Sequence, residues 1–211
     1  MADALQSFVS SFTAMSGWEL LGAILGIAYL VLAIRQSIWC WVVAAVGEII
    51  FMFVMFDAQL YMESMLRVFY LLMAVYGWFS WRSGQVQAGR QRAVTTVPLS
   101  KHCVAILAVA GLVLASGSLL SVYSDAALPY WDSFTTWSAM FATWLVARKI
   151  IENWYYWFVI DAVSVWLYLE RGLVFVAMLY LVYLVMIVYG FRAWKRSMQD
   201  SDIEVTPELH R

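Results

Sequence analysis

The stretch Arg148–Asp161 concentrates the side chains of this sequence that could bind a small ligand. It reads R-K-I-I-E-N-W-Y-Y-W-F-V-I-D. On a helix at 100° per residue, its polar and aromatic side chains share one sector with two downstream residues. The members of this sector are Asn153, Trp154, Trp157, Asp161, Ser164 and Tyr168. An amide, two indoles, a carboxyl, a hydroxyl and a phenol suit a small, flat ligand that is polar or positively charged.

Aromatic residues at helical spacing in a membrane protein also serve helix packing and interfacial belts. Trp154 and Tyr155 lie near the predicted helix start, where such a belt is expected. Asp161 lies about two turns further in, where a belt does not explain it. Because an ionisable group in hydrocarbon needs a cavity or a partner, we expect this face to look into the protein at a ligand.

The composition predicts an all-α membrane protein. Hydrophobic residues make up 64% of the 211 residues and charged residues only 13%, against about 25% charged in a soluble domain. Seven apolar segments are long enough, or nearly so, to cross a hydrocarbon core of about 30 Å as helices. They span about 17–34, 38–56, 64–81, 102–122, 132–147, 153–169 and 172–192.

The distribution of positive charge predicts the orientation. Eleven of the thirteen Lys and Arg fall in the first, third and fifth loops and in the C-terminal tail, and Arg67 and Arg171 lie at or near the other side. The positive-inside rule therefore places the N-terminus outside and the C-terminus in the cytoplasm.

An internal repeat organises the chain. A shift of 113 residues aligns the helical pattern of the first and last thirds, including V-Y-G at 75–77 with V-Y-G at 188–190. It also pairs Trp18 with Trp131, Arg35 with Arg148, Trp41 with Trp154, Glu48 with Asp161, and Trp81 with Trp194. Three helices plus one further crossing bring both copies into the membrane in the same orientation. We therefore expect two parallel three-helix repeats joined by a linker helix, with a binding site between them near the midplane.

The repeat divides the chain into five parts. These are an extracytoplasmic N-terminus (1–16), repeat 1 (17–81), a basic cytoplasmic loop with linker helix 4 (82–130), repeat 2 (131–196) and a polar, disordered cytoplasmic tail (197–211).

Further charged residues are candidates for ligand binding because they lie in or beside predicted helices. Glu48 and Trp41 occupy the positions in repeat 1 that Asp161 and Trp154 occupy in repeat 2. Glu63 and Arg67 stand at i, i+4 and can pair on one helix. That pair is as well explained by a structural ion pair near the outer interface as by contact with substrate, and Asp161 is another possible partner of Arg67.

Two Trp–acid pairs open equivalent helices. Trp131 and Asp132 open helix 5 as Trp18 and Glu19 open helix 1. They are candidates for an outer gate. The plainer interpretation is a belt of Trp with an acid at a helix N-terminus.

Enzymatic and cofactor functions are not indicated. The predicted helix interiors hold no His, so neither a Ser–His pair nor a His metal site can form there, and we expect no metal, no cofactor and no nucleic-acid partner. The three lysines, Lys101, Lys149 and Lys195, lie at helix edges, which argues against a retinal Schiff base. A carrier of small solutes fits best, with a channel or a seven-helix receptor or sensor as alternatives.

The sequence resembles the PnuC family of vitamin transporters. The resemblance covers about residues 17–196 and is carried by W-D-S at 131–133, R-K-x-x-E-N-W-x-x-W at 148–157, Q-L-Y at 59–61 and V-Y-G-W-F-S-W at 75–81. It implies an architecture similar to SWEET sugar transporters. It also matches Asn153, Trp154 and Trp157 to the substrate-binding helix of the family.

The resemblance implies uptake of nicotinamide riboside, with thiamine or riboflavin carried by relatives. It further implies a homotrimer in a bacterial inner membrane, facilitated diffusion, and trapping of the substrate by a cytoplasmic kinase without required contact. Two positions depart from the family pattern, which often has Asn at Asp161 and Gln at Arg67. Nicotinamide riboside and thiamine both carry a flat, positively charged ring, which suits indole faces and a carboxylate.

Overall fold

The chain folds into helices because backbone groups inside a bilayer must be hydrogen-bonded within the protein. The computed structural model describes residues 17–57, 61–88, 92–124 and 127–205. These ranges contain seven helices: α1 (Gly17–Ile34), α2 (Trp39–Asp57), α3 (Tyr61–Ala88), α4 (Leu99–Tyr123), α5 (Pro129–Ala147), α6 (Asn153–Glu170) and α7 (Val174–Val205). The prediction of an all-α, seven-helix fold is confirmed.

Two helices extend beyond the apolar segments that predicted them. The predicted loop at 82–101 begins as the last two turns of α3, and the tail predicted to be disordered from about 197 continues α7 to Val205. Hydropathy marks where a helix leaves the membrane, whereas the helix itself ends where the backbone is interrupted. No Pro or Gly occurs between Lys195 and Val205, and the first breaker is Pro207. The predicted N-terminal segment 1–16 lies outside the described residues.

The bundle presents an apolar surface to its surroundings. Among the described residues, three stretches are long and apolar enough to cross a membrane by themselves, Trp39–Asp57, Leu99–Tyr123 and Val174–Asp200. The remaining helices are shorter or carry more polar residues and pack against these three. Large side chains such as Phe53, Leu107 and Leu114 project outward, as expected for a multi-pass protein in contact with lipid.

The helix contacts fall into two groups of three. α2 packs against α1 and α3, α6 packs against α5 and α7, and α4 packs against α5. Between the groups, α3 packs against α5 and α7 packs against α1. Under the shift of 113 residues these two contacts are counterparts. The contacts are thus compatible with two repeats and a linker, whose residue boundaries remain a prediction.

Two equivalent turns share an uncommon backbone conformation. Gln36, between α1 and α2, has φ 55°, and Lys149, between α5 and α6, has φ 53°. Left-handed residues other than glycine are uncommon, and here they stand 113 positions apart. We call the end of the bundle that carries these turns the basic end, and the other the opposite end.

Residues 92–98, which we call the strap, cover the second of these turns. The Thr95 amide donates to the Lys149 carbonyl, and the Ile151 amide donates to the Thr95 carbonyl, both at 3.0 Å. The buried side chain of Val94 and a hydrogen bond from Arg92 to the Ser80 hydroxyl (2.7 Å) fix the strap against the bundle. The turn at Lys149 is therefore shielded from solvent.

Candidate functional site

Two tryptophans of the predicted site are seated on glycines at equivalent positions. Trp41 lies over Gly77, and Trp154 lies over Gly190. A Cβ at either glycine would overlap the indole, which explains why the V-Y-G triplet recurs at the same place in α3 and α7. Both tryptophans are buried. The repeat seen in the sequence therefore corresponds to one packing arrangement built twice.

Four tryptophans form a continuous chain across the interface between the two helix groups. The ring centroids of Trp41 and Trp81 lie 5.5 Å apart, those of Trp81 and Trp194 lie 6.2 Å apart, and those of Trp194 and Trp154 lie 5.4 Å apart. All three contacts are edge-to-face, the geometry that the quadrupoles of aromatic rings favour. This chain joins the two helix groups.

Reciprocal hydrogen bonds join the groups at the basic end. The Trp81 indole donates to the Val146 carbonyl at 3.2 Å, and the Trp194 indole donates to the Ala33 carbonyl at 3.0 Å. The two donors are equivalent under the repeat, and so are the two acceptors. The last helix of each group thus holds the end of the first helix of the other group.

Lys149 lies at the centre of this interface, although sequence reasoning placed it at a cationic helix edge. Its side chain is 1% exposed, and its Nζ donates to the Gln36 Oε1 at 2.9 Å. Nζ also lies 4.6 Å from the centroid of the Trp81 ring, within range of a cation–π interaction. Burial lowers the pKa of Lys149, which lies in the turn between α5 and α6, to about 8. The signal that could have located it is its alignment with Gln36.

Arg67 pairs with Glu48, a partner that the spacing along the sequence does not predict. Its Nη1 lies 3.6 Å from the Glu48 Oε2, and its guanidinium lies 5.9 Å from the centre of the Phe51 ring. Among the described residues no ion pair joins Arg67 to Asp161, and a pair with Glu63 stays a prediction because the Glu63 side chain lies outside those residues. The pair between α2 and α3 neutralises Glu48 inside the bundle. If Arg67 paired only along its own helix, the charge of Glu48 would stay uncompensated.

Asp161 is the counterpart of Glu48 and has a different environment. It is 4% exposed, and no ion pair within the described part of the chain includes it. Tyr180 and Tyr183 lie on α7, the helix that packs against α6. Tyr180 occupies the position of Arg67 under the repeat. The acid of repeat 1 is thus compensated by a cation, whereas repeat 2 has a tyrosine at the position equivalent to that cation.

Several buried polar atoms lack a hydrogen-bond partner within the described ranges. Three of them, near the starts of α2 and α6, are the Nε1 of Trp41, the Nε1 of Trp154 and the Oδ1 of Asn153. The Asn153 side chain is also fully buried, and its Nδ2 donates to the Ile150 carbonyl at 2.6 Å. Buried polar atoms are almost always hydrogen-bonded to protein, water or ligand. These three atoms are therefore available to hydrogen-bond a polar molecule.

Three further residues belong to the predicted face. Trp157 is half-buried and packs against the buried core. Ser164, one turn beyond Asp161, is buried, and Tyr168 is half-buried. The structure thus keeps the polar and aromatic sector of α6 turned inward.

The candidate gate residues lie at the opposite end. Asp132 accepts two hydrogen bonds from the Arg171 Nη2, at 2.7 and 2.9 Å, which tie the start of α5 to the end of α6. The Trp131 ring lies 5.4 Å from that of Trp166. Trp18 is 53% exposed, and the side chain of Glu19 lies outside the described residues. Trp131 and Trp18 face outward to a large extent, as belt residues do, and the gate remains a prediction.

A separate cavity of about 520 Å³ lies between α4, α5 and α6. Its lining is almost wholly apolar and includes Ile106, Val113, Phe141 and Val159. At its basic end the His102 Nδ1 is 2.9 Å from the Tyr156 hydroxyl, a contact that fixes the linker helix to α6. The cavity does not include Asp161 or the buried tryptophans, and its chemistry suits hydrocarbon rather than a vitamin.

Comparison with known proteins gives a consistent result. The family model described as nicotinamide mononucleotide transporter matches residues 16–196. The riboflavin/roseoflavin transporter RibM of Streptomyces davaonensis is 27% identical over 186 residues, covering 87% of each chain. The nicotinamide riboside transporter PnuC of Escherichia coli is 25% identical over 210 residues, covering 88% of each.

The fold also matches a solved structure, that of the vitamin B3 transporter PnuC. The TM-score is 0.69 at 20% identity, with 93% of this chain and 90% of that chain covered. These relatives are transporters, which agrees with the prediction that the chain is not an enzyme. The match over most of the chain, together with the repeated tryptophan packing, identifies the chain as a member of the PnuC family of vitamin transporters.

Proposed function

We propose that this protein takes up nicotinamide riboside across a bacterial inner membrane. The observation that carries the proposal is Asp161, a buried acid with no cationic partner among the described residues. A carboxylate that stays ionised inside a membrane protein requires a positive partner. In repeat 1 the protein supplies that partner as Arg67; in repeat 2 we assign this role to the substrate.

The substrate class follows from the groups around Asp161. A pyridinium ring is flat and positively charged, so it gains from a carboxylate and from aromatic faces at the same time. Trp154 and Trp157 would provide those faces, and the Asn153 Oδ1 and the free indole N–H groups would bond amide and ribose oxygens. Glu48, Arg67, Glu63 and Trp41 would complete the site on repeat 1.

Thiamine is the second candidate because its thiazolium ring is also flat and positively charged. Riboflavin, the substrate in the printed name of one relative, is neutral and would leave Asp161 without a partner. The buried acid therefore supports a cationic vitamin over riboflavin.

The transport cycle we propose is facilitated diffusion between two parallel repeats, 17–81 and 131–196. The N-terminus would lie outside and the C-terminus in the cytoplasm, as the distribution of Lys and Arg indicates. The tryptophan chain and the Lys149–Gln36 bond would close the basic, cytoplasmic end in this conformation, and Trp18, Glu19, Trp131 and Asp132 would belong to the outer gate. Phosphorylation by a cytoplasmic kinase would trap the substrate, and the assembled unit would be a homotrimer.

Binding titrations test the proposal directly. The purified protein in detergent would be titrated with nicotinamide riboside, thiamine and riboflavin, with tryptophan fluorescence as the signal. We expect nicotinamide riboside to bind most tightly and riboflavin least tightly. Tightest binding of riboflavin would contradict the proposal, and binding of nicotinamide riboside without uptake into vesicles would identify a receptor or sensor instead.

A further inference from the structure

We infer that Tyr168, Tyr180 and Tyr183, here called the tyrosine row, conduct a cationic ring from the opposite end of the bundle to Asp161. The inference rests on the proposed function in that it concerns the same substrate class. It adds a path and three specificity-determining residues to the site.

The three rings are spaced as consecutive steps. The centroids of Tyr168 and Tyr180 lie 5.3 Å apart, and those of Tyr180 and Tyr183 lie 5.6 Å apart. Tyr168 and Asp161 lie on the same face of α6 seven residues apart, which corresponds to about 10.5 Å along the helix axis. The two ring spacings together are therefore about as long as the distance along α6 from Tyr168 to Asp161. All three tyrosines are half-buried.

Tyr183 brings the row to the interface between the helix groups. Its hydroxyl lies against Gly26 of α1, where a Cβ would overlap it. Asp161 lies nine residues before the end of α6 (170 − 161), and Tyr183 lies nine residues after the start of α7 (183 − 174), the helix that packs against α6. The row therefore reaches the depth of the buried acid at the interface between the two repeats, where a carrier of this architecture binds its substrate.

The equivalent positions in repeat 1 cannot form such a path. The shift of 113 residues places Met55 at Tyr168, Arg67 at Tyr180 and Tyr70 at Tyr183. The central position thus holds a guanidinium paired with Glu48 in place of an aromatic ring. Repeat 1 therefore lacks a row of three aromatic rings, and we expect a positively charged ring to follow the side of repeat 2.

Cation–π attraction gives the row its selectivity. The face of a tyrosine attracts a cation by an amount that corresponds to about a two- to thirtyfold change in affinity. Packing of the same rings against a neutral ligand has no such dependence on charge. The comparison of a charged ligand with a neutral one of equal shape therefore separates a cation path from ordinary aromatic packing.

The experiment measures association of nicotinamide riboside and of its neutral 1,4-dihydro form by stopped-flow tryptophan fluorescence. Tyr180→Leu should slow association of the cation by about two- to thirtyfold and leave that of the neutral form within about twofold. Tyr180→Phe keeps the aromatic face and should behave like the parent protein. Tyr70→Leu, the equivalent of Tyr183 in repeat 1, is the matched control and should alter neither ligand.

Position along the row makes a second test. Tyr183→Leu, at the depth of Asp161, should weaken equilibrium binding of the cation, whereas Tyr168→Leu, at the outer step, should slow association with little change in Kd. Gel filtration checks that each variant is folded. A partly inactive preparation would lower the amplitude of the fluorescence change but not the rate constant.

Several results would overturn the inference. Equal slowing of both ligands in Tyr180→Leu would make the ring a packing element, and a Phe variant as slow as the Leu variant would make the hydroxyl the active group. Thiamine serves as a second cation. If the parent protein binds thiamine and not nicotinamide riboside, the proposed substrate is wrong, while the same Tyr180→Leu comparison with thiamine still supports or refutes the row. Binding of neither cation would refute both.

Discussion

Two acids at equivalent positions show how a repeated fold acquires one specific site. Glu48 is neutralised by Arg67 at 3.6 Å, whereas Asp161 is buried with no cationic partner among the described residues. Trp41 and Trp81 have equivalents in Trp154 and Trp194, so the difference in charge arises from α3 and α7, where Tyr180 replaces Arg67. The charge of one acid is satisfied within the fold, and that of the other is available to a ligand.

Asp161→Asn should weaken binding of nicotinamide riboside without lowering the melting temperature in detergent. The amide keeps the shape of the side chain and removes the charge, and a hydrogen bond or contact with a charged group contributes about 1.5–3 kcal/mol. We therefore expect a Kd roughly tenfold higher or more. Unchanged affinity together with a lower melting temperature would assign Asp161 to the scaffold.

Glu48→Gln is the matched variant in repeat 1 and should lower the melting temperature. It leaves Arg67 buried without its partner, and breaking a buried ion pair from one side is destabilising by about 3–5 kcal/mol when the pair is fully buried. Because the Glu48 and Arg67 side chains are 22% and 29% exposed, we expect a smaller loss, seen as a melting temperature several degrees lower. A variant as stable as the parent protein would contradict this assignment.

At the scale of single residues, the sequence predicted the inward-facing sector of α6 but not its surroundings. Helical periodicity places Asn153, Trp154 and Asp161 on one face because it depends only on local geometry. The pairing of Arg67 with Glu48 and the burial of Lys149 depend on how separate helices pack. That information is not contained in the spacing within either helix.

At the scale of helices, equivalent hydrogen bonds from the two repeats join the helix groups at the basic end. Each of Trp81 and Trp194 donates an indole N–H to a carbonyl at the end of a helix in the other group. The turns that follow those helix ends contain Gln36 and Lys149, which are bonded to each other. Separation of the two helix groups at this end therefore requires the loss of all three hydrogen bonds.

Trp81→Phe and Trp194→Phe should lower stability by similar amounts. Each removes one indole N–H, while the carbonyl keeps a backbone donor, the amide of Lys149 or of Gln36, so the loss is that of one hydrogen bond, about 0.5–1.5 kcal/mol. Melting temperatures of the two variants in detergent check this expectation. A large effect of one substitution and none of the other would show that the two interfaces are not energetically equivalent.

Lys149→Met should change the dependence of stability on pH. The pKa of Lys149 is about 8 in the folded protein and 10.5 ordinarily, so between these values the unfolded state binds more protons and stability rises with pH. Below pH 8 Lys149 is protonated in both the folded and the unfolded state, so it no longer makes stability depend on pH. The melting temperature of the parent protein should therefore rise relative to that of Lys149→Met between pH 7.5 and 9.5.

The exposed lysine Lys195 supplies the control for this measurement. Lys195→Met removes the same charge from the same face of the molecule without removing a buried amine. It should leave the pH dependence of the parent protein unchanged. A difference between the parent protein and Lys149→Met that stays constant with pH would contradict the effect of burial on Lys149.

Helix positions were largely predictable, and helix ends were less so. The spans of α1, α2, α5 and α6 agree with their apolar segments to within three residues at each end. α3 and α7 run on into polar sequence. A hydropathy pattern reports the thickness of the membrane, and it carries no information on how far a helix continues into water.

At the scale of the whole molecule, the repeat was the strongest prediction because it rests on many residues at one shift. The seven-helix fold was predicted from the apolar segments, and the membership of the PnuC family from motifs such as that at 148–157; both are confirmed. The choice of vitamin was not predictable from these features, because relatives that match most of the chain are named for riboflavin and for nicotinamide riboside. Selection among substrates depends on a few charges inside the bundle.

The measurement that tests the central claim most directly is uptake of labelled nicotinamide riboside into proteoliposomes. We predict that the internal concentration rises to the external one and no further, with or without sodium or proton gradients, and that Asp161→Asn slows this equilibration while Tyr70→Leu does not. Accumulation above the external concentration that an uncoupler abolishes would contradict facilitated diffusion. Equilibration at the same rate in Asp161→Asn would contradict the claim that this buried acid receives the positive ring.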